Sequence, residues 1–193
     1  GNIANREHHC CFSAKCKRML AYSSIAQAGF MLLALFALNS RAKEGLVLYS
    51  AAYSLATIGL FSILIKMKDY TIDGFNGLSK KQPLLALSAV VFLLSLTGIP
   101  LTAGFQSKFY MLMAAVENGH SFWLVIVAVI FAAISAYYYF RIIQAMYFKE
   151  PEKEDVIDAT DISIGFKALL IITAALIILL GIYPEIIIGW LYH

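Results

Sequence analysis

The chain has 193 residues, of which 61% are hydrophobic and 14% charged, and its mean hydropathy is +0.76. Soluble domains carry about 25% charged residues, so a soluble globule could not bury this much apolar surface. The three cysteines, an odd number, exclude a disulfide-stapled secreted domain, and a net charge of +3 without a continuous basic face excludes a nucleic-acid binder. The composition therefore predicts an all-α polytopic membrane protein.

Five apolar runs are long enough to cross about 30 Å of hydrocarbon as helices. They are residues 19–38, 46–65, 84–117, 122–148 and 164–183. No soluble domain and no short repeat interrupts them. We therefore expect residues 19–193 to form one transmembrane helical bundle, preceded by a cytoplasmic-side link at residues 1–18.

The third run is too long for one helix. Its 34 residues would extend roughly 50 Å at about 1.5 Å per residue, which exceeds what helix tilt accommodates. Pro100 lacks an amide donor, and Gly98 and Gly104 permit unwinding, so we expect a helix break formed by these three residues. Such a break frees backbone carbonyls and amides, which the membrane interior tolerates only inside protein or beside water. The third transmembrane helix is therefore predicted to be discontinuous.

Lys108 follows the predicted break and is the one basic residue well inside a run, because Arg141 lies about two turns from the end of its own run. An ammonium group at that depth costs several kcal/mol unless water, a carboxylate or freed carbonyls meet it. A lysine in such a place holds or releases a proton according to its surroundings, so we interpret Lys108 as a proton carrier. The alternative is a snorkelling lysine that only joins helices, which the adjacent break makes less attractive.

Other polar residues inside the runs could line a hydrated path to Lys108. Ser24 and Gln27 lie three apart on one helix face, the spacing at which two groups can share waters. The predicted relay comprises Ser24, Gln27, Thr102 and Tyr110. A purely structural role is the alternative for such residues. Ser and Thr hydroxyls commonly bond their own helix backbone, and Tyr side chains anchor helices at membrane interfaces. Near the end of the third run, Glu117 is interpreted as a solvated helix end rather than a proton exit group.

No pattern for a resident metal or cofactor occurs in the sequence. Residues 8–11 read HHCC and Cys16 follows, but adjacent side chains rarely reach one tetrahedral ion together, and the spacing matches no zinc pattern. The sequence also lacks a phosphate loop, a nucleotide fingerprint, a catalytic triad and the cysteine set of an iron–sulfur cluster. We therefore expect no metal and no cofactor in this chain.

Three segments resemble one protein family closely. Residues 17–30 read KRMLAYSSIAQAGF, residues 96–110 read LTGIPLTAGFQSKFY, and residues 146–151 read MYFKEP. The first two resemble, in looser form, the whole antiporter-like superfamily, which includes sodium/proton antiporters and membrane hydrogenases. The KFY ending of the second and the YFKEP of the third narrow the resemblance to subunit N of bacterial NADH:quinone oxidoreductase, or complex I, the counterpart of mitochondrial subunit 2.

The resemblance implies a fold and a place within it. The family has 14 transmembrane helices with two discontinuous ones in inverted repeats, and this chain looks like helices 10 to 14, with the broken run as helix 12. A C-terminal fragment is implied, because the family's glutamate on helix 5 and lysines on helices 7 and 8 have no counterpart here. The segment 5–16 is longer than the family's link, so the sequence of residues 1–18 is doubtful and receives no function.

The resemblance also implies a function. The family subunit translocates protons and couples electron transfer from NADH to quinone with pumping, and Lys108 would be the distal lysine of its hydrophilic axis, facing the outward half-channel. NADH, FMN, iron–sulfur clusters and quinone would be used by partner subunits of the enzyme. The implied partners are the other membrane subunits and the lipid bilayer, with no nucleic acid, and the implied location is the bacterial inner membrane, crossed several times.

Two other classes of function stay open. The chain could belong to a multisubunit cation/proton antiporter or to a membrane-bound hydrogenase, which share the looser motifs. It could also be a passive membrane scaffold, which an unaltered proton yield after neutral replacement of Lys108 would favour. The Phe-Tyr flank of Lys108 favours the complex I subunit over both.

Charge on the loops predicts the orientation of the bundle. Alternation of the five runs puts residues 1–18, 66–83 and 149–163 on one face, which carries ten Lys and Arg. The opposite face carries two, Arg41 and Lys43. By the positive-inside rule the first face is cytoplasmic, and the chain's C-terminus lies on the non-cytoplasmic side.

This orientation can be checked by cysteine labelling in the assembled complex. Cysteine in place of Lys80 should react with a membrane-impermeant reagent from the cytoplasmic side, and cysteine in place of Asn39 should react from the outer side. The reason is the excess of cations on the loop that contains Lys80. Preferential external labelling at position 80 would reverse the predicted topology.

Overall fold

The structure is a computed structural model that describes the backbone of residues 4–67, 69–117, 122–150 and 162–191, and within these ranges the side chains from residue 19 to residue 190. Its helices, in chain order, are α1 (Ala4–Ala37), α2 (Ser40–Lys66), α3 (Leu78–Lys81), α4 (Pro83–Thr97), α5 (Ala103–Glu117), α6 (Phe122–Phe148), α7 (Ile164–Ile182) and α8 (Glu185–Leu191). A 3-10 turn, Asp73–Phe75, precedes α3. The side chains of the tract at residues 8–16, like His193, lie outside the described residues.

Four of these helices are long and apolar enough to cross a membrane by themselves. Their apolar spans are Met19–Ala37 within α1, Ser40–Lys66, Phe122–Phe148 and Ile164–Ile182. The predicted third run is occupied by α4 and α5, which have 15 residues each. The prediction of an all-α membrane bundle with five crossings, the third discontinuous, is confirmed.

The first half of the broken helix ends at Thr97 because Gly98 leaves the helical path. Gly98 has φ +88°, in the left-handed region that glycine adopts without a steric penalty. Its amide donates to the carbonyls of Leu94 and Ser95, at 2.9 and 3.1 Å, and so closes the last turn. Pro100 lies two residues further on and has no amide with which to continue a helix. The break predicted at Gly98 and Pro100 is therefore present.

The second half begins at Ala103, directly after Thr102. The hydroxyl of Thr102 accepts a hydrogen bond from the Phe105 amide at 3.4 Å, in the manner of a helix N-cap. Gly104, which the sequence predicts as part of the break, lies instead in the first turn of α5. A Cβ atom at Gly104 would overlap the Ser95 carbonyl oxygen, so this glycine lets α5 approach the end of α4 closely.

Small residues bring α2 and α4 together in the centre of the bundle. Ala52, Ala56 and Gly59 are buried on one face of α2, and a Cβ atom at Gly59 would overlap the ring of Phe92 on α4. Helices in lipid gain little from the hydrophobic effect between them, so close packing at small residues supplies much of their attraction. Several isoleucines and phenylalanines of α6, among them Ile126, Ile130 and Phe131, are exposed, as suits a helix that faces lipid.

The connection between α2 and α4 caps the end of α6. The Gly77 amide donates to the Ala145 carbonyl at 3.2 Å, and the Ser79 hydroxyl donates to the Met146 carbonyl at 2.8 Å. Both carbonyls lie in the last turn of α6, where no further helical amide is available. This loop therefore holds the end of α6 against the bundle.

At the opposite end, the start of α2 is tied to the end of α5. Asn39 caps α2 by accepting from the Ala42 amide at 2.8 Å, and its side-chain amide donates to the Ala114 carbonyl at 3.1 Å. Arg41 forms an ion pair of 2.8 Å with Glu117, and both side chains are 44% exposed. Glu117 is thus a partly solvated, ion-paired helix end.

The backbone of the break packs directly against α7. A Cβ atom at Gly181 would lie 2.8 Å from the Ala103 amide nitrogen and would also meet the carbonyl oxygen of Leu101. Leu101 itself has φ +75°, a left-handed conformation that costs a non-glycine residue about 1–2 kcal/mol. The direct contact with α7 helps to hold this strained segment in place.

We expect Gly181→Ala to destabilise the bundle, because its methyl group has no room against the backbone of the break. Overpacking of this kind costs about 1–3 kcal/mol. The matched control is Gly165→Ala on the same helix, where no atom lies within 4 Å of the added carbon. The thermal unfolding midpoint of the chain in its assembled complex should fall for the first variant only, and equal midpoints would contradict the proposed contact.

Candidate functional site

Lys108 lies on the second turn of α5, is 6% exposed, and reaches back to the end of α4. Its ammonium nitrogen Nζ donates to the carbonyl oxygens of Leu96 and Thr97, at 2.7 and 3.2 Å. The side chain passes over Gly98, where a Cβ atom would lie 3.0 Å from the Lys108 Cδ atom. The glycine that ends α4 therefore also makes room for the lysine stem.

The end of α4 leaves four carbonyls without helical partners, and each of the four has a donor. Leu94 and Ser95 accept from the Gly98 amide, and Leu96 and Thr97 accept from Lys108. The carbonyl end of a helix carries about half a negative charge, which attracts a cation placed on its axis. Lys108 acts as a side-chain cap on a helix that ends inside the bundle.

The ammonium group also faces an aromatic ring. Its nitrogen lies 4.9 Å from the ring centroid of Phe30 on α1, which is buried. A desolvated contact of this kind contributes about 2 kcal/mol. No carboxylate among the described side chains forms an ion pair with Lys108. Carbonyl dipoles and a π-face, rather than a counter-ion, thus stabilise the charge.

This arrangement suits either protonation state of the lysine. The two carbonyls engage two of the three N–H groups of an ammonium. A neutral amine keeps two N–H groups, so loss of one proton does not by itself force either hydrogen bond to break. The site can therefore hold or release a proton without large rearrangement.

Gln27 of α1 joins Lys108 through a shared acceptor. Its side-chain amide donates to the Leu96 carbonyl at 3.1 Å and to the Tyr139 hydroxyl at 3.4 Å. The Gln27 side-chain oxygen accepts from the hydroxyl of Tyr49 on α2. Gln27 is 1% exposed, so these contacts satisfy a polar group that water does not reach.

The network extends from Gln27 to Ser23 through Tyr139 of α6. The hydroxyls of Ser23 and Tyr139 are hydrogen-bonded, and both side chains are buried. We call the set formed by Lys108, Gln27, Tyr49, Tyr139 and Ser23 the polar cluster. Its members come from α1, α2, α5 and α6, and it meets α4 at the Leu96 carbonyl. Polar side chains of the first and fourth runs, Gln27 and Tyr139, are thus joined to Lys108 through the Leu96 carbonyl.

The structure separates the predicted relay residues. Gln27 belongs to the polar cluster, whereas Ser24 is exposed and donates to the Ala21 carbonyl of its own helix at 2.7 Å. Thr102 is buried and donates to the Ile99 carbonyl within the break at 2.7 Å. Tyr110 is half-buried on α5 and packs against the main apolar core.

Three cluster members are absent from the predicted relay: Ser23, Tyr49 and Tyr139. Ser23 and Gln27 are four residues apart, so the helical repeat places them on one face. That spacing is the sequence feature from which Ser23 could have been included with Gln27 in the predicted relay. The described residues contain no group of three or more His, Cys, Asp or Glu that could hold a metal ion.

We expect Tyr139→Phe to destabilise the assembled subunit, because it leaves buried Ser23 without its hydroxyl partner and removes an acceptor from Gln27. An unsatisfied buried group costs about 1–3 kcal/mol. Tyr137→Phe is the matched control, since Tyr137 lies on the same helix and is 69% exposed. Thermal unfolding should show a loss for position 139 alone, and an equal effect at both positions would argue against the network.

Comparison with known families assigns the chain by its sequence. Residues 7–135, more than half of the chain, match the family described as NADH:quinone oxidoreductase/Mrp antiporter, TM. The chain is 40% identical over 174 residues to NADH-quinone oxidoreductase subunit N 2 of Solibacter usitatus, covering 88% of this chain and 35% of that protein. It is 46% identical over 137 residues to subunit N 1 of Thermodesulfovibrio yellowstonii, covering 71% and 30%. The chain spans about a third of the length of these relatives.

Solved structures give the same assignment by fold. A chain of respiratory complex I from Thermus thermophilus superposes with a TM-score of 0.77 at 32% identity, over 90% of this chain and 39% of that one. A chain of the Mrp complex from Dietzia sp. superposes with a TM-score of 0.75 over 88% and 40%, but at 18% identity this likeness concerns the fold alone. On its sequence match and its fold, the chain belongs to the NADH:quinone oxidoreductase/Mrp antiporter transmembrane family.

Proposed function

We propose that this chain forms part of a proton-translocating membrane subunit of NADH:quinone oxidoreductase, in which Lys108 holds and releases the transferred proton. The observation that carries the proposal is the buried Lys108 ammonium, bound to the free carbonyls of Leu96 and Thr97 at the helix break. The choice of enzyme is supported by the relatives at 40% and 46% identity, which are named NADH-quinone oxidoreductase subunit N.

Electrostatics sets how such a lysine can be switched. A unit charge that moves from about 4 Å to about 8 Å from Nζ changes the energy of the charged form by about 2 kcal/mol at an effective dielectric constant of about 20. That change alters the protonation equilibrium by roughly 30-fold. Movement of one charged group near the polar cluster is therefore enough to load or unload Lys108.

Partner subunits supply the energy in this proposal. NADH, FMN, iron–sulfur clusters and quinone would be used by those subunits, and electron transfer there would move the charges that switch Lys108. The other membrane subunits and the lipid bilayer are the partners of the bundle. Its location is the bacterial inner membrane, with the C-terminus on the non-cytoplasmic side, as the excess of cations on the opposite loops supports.

The alternative of a cation/proton antiporter without redox partners receives less support. Likeness to the Mrp complex reaches 18% identity and concerns the fold, whereas likeness to complex I reaches 32%. Dependence of proton movement on quinone reduction separates the two functions.

We expect Lys108→Ala to lower the number of protons pumped per electron pair, because no titratable group remains at the break. Lys108→Arg should also lower it, since a guanidinium group scarcely deprotonates. The measurement is proton uptake by vesicles that contain the intact complex, during NADH oxidation with quinone.

Lys43→Ala provides the control, because Lys43 is an exposed lysine at the start of α2, away from the break. This variant should keep the wild-type proton yield, and the subunit content of each preparation shows whether assembly is intact. A full proton yield in both Lys108 variants would refute the proposal and leave Lys108 as a structural cap of α4.

A further inference from the structure

Phe30 lies on the side of α1 that packs against α5, three residues after Gln27. Its side chain is 4% exposed, and its ring centroid lies 4.9 Å from Nζ of Lys108. A lysine within about 6 Å of a ring centroid is attracted by the negative face of the π system, and most strongly where both groups are desolvated. The contact of Lys66 with the ring of Phe166, at 5.9 Å, is longer and only partly buried.

The ring of Phe30 distinguishes the two protonation states of Lys108. The carbonyls of Leu96 and Thr97 accept from two N–H groups, and both the ammonium and the neutral amine possess two. The ring attracts a cation through its quadrupole, and a neutral amine gains little from it. Phe30 is therefore the described side chain whose attraction for Lys108 is lost when the proton leaves.

The other surroundings of Phe30 offer little to replace the ring. Phe30 also lines a groove of about 520 Å³ between α1 and α6. Most of the side chains along this groove are apolar, among them Leu33, Ala128 and Phe131. Without the ring, the ammonium would face this apolar groove, and apolar surroundings disfavour a charged group. The stabilisation that Phe30 gives to the charged lysine is therefore not easily supplied by another side chain.

Other titratable groups on the helices around Lys108 bear on any pH dependence. Among the described side chains of these helices, the charged ones lie within about two turns of a helix end; they are Arg41, Lys43, Glu44 and Lys66 of α2, Glu117 of α5, Arg141 of α6 and Lys167 of α7. The other titratable ones are tyrosines; they are Tyr22 of α1, Tyr49 and Tyr53 of α2, Tyr110 of α5, and Tyr137, Tyr138, Tyr139 and Tyr147 of α6. Substitution at position 30 changes none of these groups, so a difference in pH dependence between variants at that position reports on Lys108.

We propose that Phe30 is a positioning residue for proton transfer, whose ring holds the charged Lys108 ammonium at the carbonyl end of α4 and sets the pH at which that ammonium releases its proton. The inference rests on the proposed function of Lys108 and adds to it the side chain that balances the two protonation states. Loss of the ring's attraction removes stabilisation from the charged form alone, so the proton should leave at a lower pH.

Fluorination of the ring tests this role with little change of shape. Fluorine withdraws π electrons, so 4-fluoro-, 3,5-difluoro- and 3,4,5-trifluorophenylalanine at position 30 weaken the attraction stepwise while the ring stays apolar. The measurement is the number of protons pumped per electron pair, as a function of pH, in vesicles that contain the intact complex. The pH of half-maximal yield on the alkaline side should fall along this series, and by about one unit in Phe30→Leu.

Phe92 of α4 provides the matched control. Its ring is fully buried and packs at Gly59, and no described cation lies over it. The same fluorinated series at position 92 changes a buried ring without touching a charge. These variants should keep the wild-type pH profile, and the subunit content of each preparation shows whether the complex is assembled.

The outcomes separate this inference from the proposed function. An unchanged alkaline limit across the series at position 30, or an equal shift across the series at position 92, would overturn the role of Phe30 and leave its ring as packing. Both results leave the Lys108 test untouched, because that test replaces Lys108 itself and reads the proton yield. A full yield in both Lys108 variants would instead refute the proposed function, and this inference with it.

Discussion

The bond between the Lys108 ammonium and the last carbonyls of α4 is the interaction on which the rest of the bundle depends. A helix that ends at membrane depth leaves carbonyls that neither water nor lipid can satisfy. The backbone of Gly98 serves two of them, and Lys108 serves Leu96 and Thr97. The break supplies the acceptors that make a buried lysine tolerable, and the lysine supplies the donors that make the break tolerable. Each feature thus offsets part of the cost that the other has at this depth.

Glycines set the geometry of that bond from three directions. Gly98 leaves room for the lysine stem, Gly104 lets α5 approach the Ser95 carbonyl, and Gly181 lets α7 lie against the strained backbone at Leu101. In each case a Cβ atom would press on backbone or on Lys108 itself. The close packing around the break therefore depends on glycines, which have no side chain. Such packing suits a membrane interior, where helices attract one another mainly through close contact because the hydrophobic effect between them is weak.

The sequence predicts the break because the third run is too long for one membrane-spanning helix. It identifies Lys108 as a candidate site because a charged side chain in hydrocarbon is costly. It does not predict the cluster in full. The helical repeat separates Ser23 from Ser24 by face, but α1 is apolar on most sides and does not reveal which face turns inward. Gln27 meets Tyr139 across 112 positions of the chain, a pairing that only the packing of α1 against α6 creates. An interfacial anchor and a cluster member such as Tyr139 look alike in a single sequence.

Two backbone carbonyls and a phenyl ring, rather than a carboxylate, surround the Lys108 ammonium, as far as the described residues extend. A carboxylate about 4 Å away would favour the charged lysine by about 4 kcal/mol at an effective dielectric constant of about 20, which exceeds what a moving charge at 8 Å could reverse. The carbonyl end of α4 and the phenyl ring also favour the ammonium, each by about 2 kcal/mol or less, and a neutral amine can keep the same two hydrogen bonds. Solvation by dipoles thus keeps both protonation states within reach of a small electrostatic change, and this is the physical property that a coupled proton carrier requires.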